Sequence, residues 1–371
     1  MARKGLKLLV AGGGTGGHVL AGVAVADAWK KQPDASVLFV GAHGGIEEKL
    51  VPRAGYELQL LKLGSLNRVS LAKRLRTLVL LPLSLVKSCQ ILLREKPDAV
   101  LGVGGYASGP IVLCARVLSA LGLIRAKTAI LEQNSVPGMT NRLLGRVVDT
   151  VFCAFPGTEG NFPKQAAKQA VFLTGNPVRS AMRRFAPASA DPFTVFIFGG
   201  SQGAAGINTL VINALPFLLS RQDLKGRLHF IHQTGENDFE RVRAAHEKAG
   251  SSARVEKFIH DMADCYEKAS LLICRSGSST LSEVAAVGRA SILVPFPFAS
   301  DNHQEMNART FSDREAAFLM LQGTSSGEEL ARRIRECFDN PEMLRQMEGL
   351  VAGFYRPDAA QDIVQELSRH A

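Results

Sequence analysis

Residues 274–308 read CRSGSSTLSEVAAVGRASILVPFPFASDNHQEMNA, and they set out, in order along one crossover, the groups that would hold a diphosphate, a ribose and a sugar ring. A strand ends at Cys274 and the small polar turn 275–279 follows, so free backbone N–H groups and a helix start face whatever lies beyond the strand end. Glu283, one turn into that helix, can accept both hydroxyls of a ribose, and His303, Gln304 and Asn307 open the next helix with sugar-binding polar groups. A plainer reading uses the same letters, because Thr280 and Glu283 also have the spacing of a capping box. Local sequence leaves the two open.

A second set of polar residues sits behind glycines in the first half. GGGTGGH (12–18) contains G-x-G-x-x-G, but the dinucleotide fingerprint expects an acid after the second strand, and Gly41, Ala42 and His43 stand there instead. It is not a P-loop either, since His18 and Val19 replace Lys and Ser/Thr. What remains is an N–H-rich loop that lets a large anionic ligand approach the backbone, with His18 at a helix start as a general base, a diphosphate ligand or a simple cap. GVGGYASGP (102–110) and LEQNSVPGMTN (131–141) follow later strands. In a parallel sheet all strand carboxyl ends share one edge, so His18, Tyr106, Glu132 and Asn134 converge there. With no D-x-D and no H-E-x-x-H, no metal site is expected. Leaving-group charge would be met by the helix starts at 199–206 and 277–281, helped by Arg179 or Arg275.

The elements that must position these residues are short apolar strands alternating with helical periodicity, the pattern of parallel sheets made of right-handed βαβ units. The pattern begins twice: a strand at 6–10 feeds GGGTGGH and a helix to about residue 30, and a strand at 193–198 feeds GGSQGAAG and a helix to about residue 219. Further strands are expected at 37–40, 99–103, 129–131 and 150–153, then at 228–232, 255–258, 271–274, 291–294 and 317–321. The expected fold is therefore α/β with two doubly wound, Rossmann-like domains, 1–177 and 178–355. A hinge is expected at 174–177 and a ligand cleft between the strand edges.

Composition narrows the setting. A chain of 371 residues, 46% hydrophobic and 21% charged, can build two cores. Six scattered cysteines without C-x-x-C pairs read as buried free thiols of a reducing compartment. The first residues read as too short an apolar stretch for a signal peptide and no run of 18 apolar residues occurs, so a cytoplasmic protein is expected. Residues 1–177 carry 22 Lys and Arg against 10 Asp and Glu, while 178–371 carry 22 against 24. Much of the excess surrounds the apolar run 78–86. Leu71, Leu75 and Leu78 share one helical face, continued by Val79 and flanked by Lys73, Arg74 and Arg76, which suits an anionic membrane surface. Pro82 is expected to break this run, so that it lies on a membrane rather than across it. Nucleic acid is disfavoured as a partner, since aromatic residues are only 6% and none interleave the basic stretch. A solvated helix face is the plain alternative.

GGGTGGH, GVGGYASGP, EQN..PG..N, GNPVR, FGGSQGA, CRSG..T.SE and DNHQ..NA together resemble the MurG family, in family order from Gly12 to Ala308. The resemblance implies a GT-B fold whose last helix, within 356–371, crosses back to the first domain. It implies inverting transfer of GlcNAc from UDP-GlcNAc to the C4 hydroxyl of MurNAc in lipid I (undecaprenyl-diphosphate-MurNAc-peptide), without a cofactor. It also implies a peripheral position on the cytoplasmic face of the plasma membrane, with other cell-wall synthesis proteins as partners. Carried over by motif, Thr15, Gly16, Gly17, Asn134, Arg179, Ser201, Arg275, Thr280, Glu283 and Gln304 fall on the donor side. Gly14, Tyr106, Ser108 and Asn141 fall on the acceptor side, with His18 and Glu132 catalytic. Where many relatives read HEQN this chain reads LEQN, so Leu131 is expected to remove an acceptor contact and shift weight to His18 and Glu132. A transferase for another lipid acceptor, a silent nucleotide-sugar-binding membrane protein and, more distantly, a UDP-GlcNAc epimerase are the alternatives.

Overall fold

The computed structural model describes residues 5–62, 71–162, 170–179, 182–186, 191–200 and 202–369, without the side chains of 71–80. The chain forms two compact units, one of residues 1–179 with 356–371 and one of residues 180–355.

Unit 1 holds β1 (Lys7–Gly12), β2 (Ser36–Ala42), β3 (Glu57–Leu61), β4 (Ala99–Gly104), β5 (Lys127–Glu132), β6 (Thr150–Cys153) and β7 (Ala170–Leu173). Its helices are α1 (Gly16–Trp29), α2 (Glu47–Arg53), α3 (Leu71–Glu95), α4 (Ser108–Ala120) and α5 (Met139–Leu144). Unit 2 holds β8 (Phe193–Phe198), β9 (Leu228–Gln233), β10 (Ser252–Glu256), β11 (Leu271–Cys274), β12 (Ser291–Leu293) and β13 (Phe318–Leu319). Its helices are α6 (Ala205–Leu219), α7 (Phe239–Ala249), α8 (Met262–Lys268), α9 (Ser278–Val287), α10 (His303–Ser312), α11 (Gly327–Asp339) and α12 (Pro341–Ala352). The last helix, α13 (Ala359–Ser368), belongs to unit 1, where it packs on α1.

Both sheets are parallel and doubly wound, in the orders β3-β2-β1-β4-β5-β6-β7 and β10-β9-β8-β11-β12-β13. The order reverses between β1 and β4 and between β8 and β11, which leaves a crevice at those strand ends. Successive residues of β1 serve opposite faces: Leu8 and Val10 join Val25, Trp29 and Ile363, while Leu9 and Ala11 join Leu92, Ile111 and Ile130. Covering both faces is why the central strands are continuous apolar runs.

Several expectations need correction. β3 was not foreseen as a strand, and of β7 only its end at the hinge was; both lie at sheet edges and are only partly buried, so neither shows a central strand's apolar run. β10 begins three residues earlier than expected, β13 is two residues long, and unit 1 continues past the expected hinge to Arg179. Pro82 does not break its run, because α3 continues through it to Glu95. Pro82 is exposed, so solvent can meet the backbone group that the missing N–H leaves unpaired.

Candidate active site

At the crevice of unit 1 the loops after β1 and β4 interlock. The Gly13 N–H donates to the Gly104 carbonyl at 3.1 Å. Gly104 sits at φ 101°, and a Cβ there would stand 3.0 Å from His18 Nε2. Glycine is required for this approach. Thr15 caps α1, accepting from the His18 N–H at 3.4 Å, so His18 is the third residue of the helix and not its cap. His18 Nδ1 lies 3.0 Å from the Gly13 carbonyl oxygen. A carbonyl only accepts, so the neutral ring carries its proton on Nδ1 and its lone pair on Nε2.

Glu132, the last residue of β5, is buried and receives four donors. Its Oε1 accepts from the Asn134 N–H at 2.8 Å and from Asn134 Nδ2 at 3.3 Å; its Oε2 accepts from Asn141 Nδ2 at 2.9 Å and the Gly138 N–H at 3.2 Å. Burial pushes the carboxyl above its ordinary value while those donors pull the other way. Glu132 thus anchors the loop 132–141, with Asn134 and Asn141 as its partners. Gln133 ties the same loop to β4 through the Val103 carbonyl at 3.2 Å. Three buried polar atoms at this edge, Ser108 Oγ, Gln133 Oε1 and Asn141 Oδ1, have no hydrogen-bond partner among the described residues. Tyr106 is exposed beside them. Leu131 corrects an expectation: it is wholly buried in the apolar cluster with Leu101 and Phe152, so its replacement of histidine changes a core position and no pocket contact.

Unit 2 presents two helix starts at its own crevice. α6 follows the loop after β8 and α9 the turn after β11, and neither has a side-chain cap or an acid in its first turn. The outlying helices differ: α8, α11 and α12 are capped by Asp261, Ser326 and Asn340, and all three carry acids in the first turn. The positive ends of α6 and α9 are therefore offset by neither a side-chain cap nor a first-turn acid. Since the N-cap of α9 is Gly277, Thr280 and Glu283 form no capping box. Glu283 Oε2 instead accepts from Tyr266 Oη at 3.2 Å, and Tyr266 is buried among Phe196 and Phe198.

The start of α10 is laced to the 275–279 turn. Ser276 Oγ donates to the Gln304 carbonyl at 2.8 Å and Asn307 Nδ2 to the Ser276 carbonyl at 3.2 Å. Gln304 Oε1 accepts from the Phe296 N–H at 2.9 Å, so its amide NH2 is the end that can donate to a ligand. Arg275 donates to the Val294 and Pro295 carbonyls at 3.0 and 2.9 Å and to Gln322 Oε1 at 2.7 Å, and burial lowers its pKa to about 10. Its guanidinium is thus built into the turn. Arg179 is exposed in unit 1, and Ser201 lies outside the described residues.

Leu71, Lys73, Arg74, Leu75, Arg76, Leu78 and Val79 lie on the backbone of α3, with side chains outside the described ones. Motif spacing does not point to the exposed apolar side chains farther along α3 and on the helices beside it. Leu83 and Val86 of α3, Val117 and Leu121 at α4, and Met139 and Leu143 of α5 are exposed, and α4 packs against both other helices. Exposed Lys87, Arg142 and Arg146 stand among them. The exposed positions of α4, three and four residues apart, are the signal that was there to read. Glu47 and Gln233 were also invisible to the motifs. Gln233 holds the loop before α6 through the Gly200 carbonyl at 2.8 Å; Glu47 accepts from the Gly14 N–H at 2.9 Å. Among the described residues no helix is long and apolar enough to cross a membrane, and no cluster of His, Cys, Asp or Glu could hold a metal ion.

Residues 8–153 match the glycosyltransferase family 28 N-terminal domain and residues 194–363 the glycosyltransferase family 28 C-terminal domain. The chain is 43% identical to the UDP-N-acetylglucosamine--N-acetylmuramyl-(pentapeptide) pyrophosphoryl-undecaprenol N-acetylglucosamine transferase of Myxococcus xanthus, over 96% of this chain and 91% of the relative. It is also 43% identical to the enzyme of that name from Syntrophus aciditrophicus, over 97% of each. Among solved structures it resembles MurG of Acinetobacter baumannii, with TM-score 0.76, 30% identity and coverage of 98% and 99%. A UDP-GlcNAc 2-epimerase from Neisseria meningitidis shares the fold at TM-score 0.68 and 12% identity, covering 98% and 99%.

Proposed function

The chain belongs to the MurG family of N-acetylglucosamine transferases, and from that premise we propose that it moves GlcNAc from UDP-GlcNAc to the C4 hydroxyl of MurNAc in lipid I, giving lipid II. The observation that carries the donor side is the pair of uncapped helix starts in unit 2, α6 and α9, beside Glu283. On this reading the diphosphate lies on the two helix starts, with Ser201 and Thr280 as hydroxyl donors. Glu283 takes the ribose hydroxyls, and the Gln304 amide donates to the sugar. Arg275 holds the turn and adds positive charge near the leaving group; Arg179 is a further donor contact.

The acceptor side is unit 1. The C4 hydroxyl attacks the anomeric carbon opposite the departing UDP, His18 Nε2 takes its proton, and charge accumulating on the diphosphate is met by the helix starts. Glu132, held by Asn134, Gly138 and Asn141, orients the acceptor, with Tyr106 and Ser108 beside it. Thr15, Gly16 and Gly17 offer backbone donors at the start of α1. Turnover of radiolabelled UDP-GlcNAc with a short-chain lipid I analogue tests the whole reading: disaccharide-lipid product supports it, and its absence in folded protein removes it.

We further propose that unit 1 docks on the anionic cytoplasmic face of the plasma membrane through α3, α4 and α5, whose exposed apolar side chains stand among basic ones. Each basic residue near such a surface contributes about 1 kcal/mol, screened by salt. Replacing Lys73, Arg74 and Arg76 by Ser should lower cosedimentation with anionic vesicles while sparing turnover of a soluble acceptor. Vesicle binding that survives both the triple change and high salt would leave the face merely solvated.

A further inference from the structure

Glu47 opens α2 and is 1% exposed, yet it belongs to no motif. Its Oε2 accepts from the Gly14 N–H and its Oε1 from the Ala42 N–H, each at 2.9 Å. A Cβ on Gly13, Gly41 or Gly45 would collide with this side chain, so the loop before α1 and the turn after β2 close around one carboxylate. Helix capping does not account for it. The neighbouring Glu48, on the exposed side of the same turn, already accepts from the Gly44 N–H at 2.8 Å.

The Gly14 N–H and the Gly13 carbonyl are the two ends of one peptide group. One end donates to Glu47 and the other accepts from His18 Nδ1, at 2.9 and 3.0 Å. We propose that Glu47 is a positioning residue that acts on His18 through this single peptide. Its buried charge polarises the peptide so that the carbonyl accepts more strongly, and hydrogen bonds in a chain reinforce one another in this way. That holds the ring in the Nδ1–H tautomer, leaves Nε2 as the proton acceptor, and stabilises the imidazolium once the proton arrives. The carboxylate also occupies the Gly14 N–H that a bound anion would use, so a phosphate is turned away from that point of the loop.

The inference rests on His18 being the base, and the test separates the two. In the full chain, with UDP-GlcNAc and a short-chain lipid I analogue, Glu47→Gln replaces one acceptor oxygen by a donor. It should lower kcat about 10- to 100-fold, leave KM for UDP-GlcNAc at the parental value, and move the acid limb of the kcat–pH profile to lower pH. In a His18→Ala background the same change should cost nothing further. Parental kcat with an unmoved acid limb in folded Glu47→Gln, or an undiminished loss in the His18→Ala background, overturns the proposal. Imidazole 15N shifts of the unaltered protein give a reading that needs no variant: Nδ1–H at His18 supports the relay, and Nε2–H refutes it. If His18→Ala keeps parental kcat, the base assignment falls, and the 15N shifts with the His18 pKa in Glu47→Gln still decide the coupling.

Discussion

In unit 1 the glycine loop before α1 meets a carboxylate from its own chain, whereas in unit 2, among the described residues, α6 and α9 begin with no side-chain cap and no acid in the first turn. The local topology is the same, a central parallel strand running through glycines into a helix at the reversal of strand order. What differs is the charge supplied to the helix start. In unit 1 an internal anion occupies the backbone donor, and the loop is left to hold a histidine ring. In unit 2 no described side chain caps the two helix starts, and on the proposed function the diphosphate of the donor lies there. On the proposed function one scaffold thus yields a site for chemistry and a site for a diphosphate, and the division depends on side chains outside the glycine motifs.

The comparison breaks most sharply at His18. His18→Ala should lower kcat by roughly 10²–10⁴-fold, the usual worth of general-base catalysis, with UDP-GlcNAc affinity near parental if, as proposed, the donor rests on unit 2. Glu132→Gln keeps the shape and one acceptor oxygen but turns the other into a donor facing donors. It should lower kcat less and raise KM for the lipid acceptor. Near-parental kcat in His18→Ala, with collapse in Glu132→Gln, would move the base to the carboxylate.

The donor side carries the next largest effect. Glu283→Ala should weaken UDP and UDP-GlcNAc alike, by about 1–3 kcal/mol for a lost partner in a desolvated site. Gln304→Ala should weaken only UDP-GlcNAc, since its amide faces the sugar on this reading. Calorimetry giving equal losses for UDP and UDP-GlcNAc in Gln304→Ala would take that residue away from the sugar and confine unit 2 to the nucleotide.

The central strands and both glycine starts were legible because a strand buried on two faces must be an apolar run, and Leu8–Ala11 and Val195–Phe198 are such runs. The edge strand β3 was not, because exposed Glu57 and half-buried Gln59 break the pattern. Of the site, the residues inside glycine motifs could be named, since strand ends share an edge. Glu47 could not, because its partner Gly14 lies 33 residues away and is a backbone group with no letter of its own. The glycines at 41, 44 and 45 were its only trace, and of these only Gly41 was read, with Ala42 and His43, as the absence of a ribose-binding acid. Leu131 failed in the opposite sense: a motif letter implied a pocket contact at a position whose side chain points into the core.

The smallest effect separates the units by pH. Behind the loop before α6 a chain of neutral groups is buried: Ser251 Oγ lies 2.7 Å from His246 Nδ1, His246 Nε2 3.3 Å from His232 Nδ1, and His232 Nε2 3.0 Å from Asn208 Oδ1. Asn208 Nδ2 in turn donates to the Thr234 carbonyl and to Asp238 Oδ2. A further proton on His232 would set donor against donor, and burial with the neighbouring histidine lowers its pKa to about 3; burial lowers that of His246 to about 4. The unfolded rings, with the ordinary value of 6.5, bind protons first as pH falls. The unfolded state therefore gains, and unit 2 loses roughly 2 kcal/mol per histidine between pH 7.5 and 5. Glu132 has the opposite sign, since its raised pKa makes the folded form bind the proton first and adds stability to unit 1 as pH falls. The chain's one tryptophan, Trp29, is buried in unit 1 and reports that unit alone. In urea at pH 5, hydrogen exchange over α6 should accelerate well before Trp29 emission shifts, and the gap should close at pH 7.5. Loss of both signals together at pH 5, or of Trp29 first, would mean that acid does not distinguish the units through these histidines.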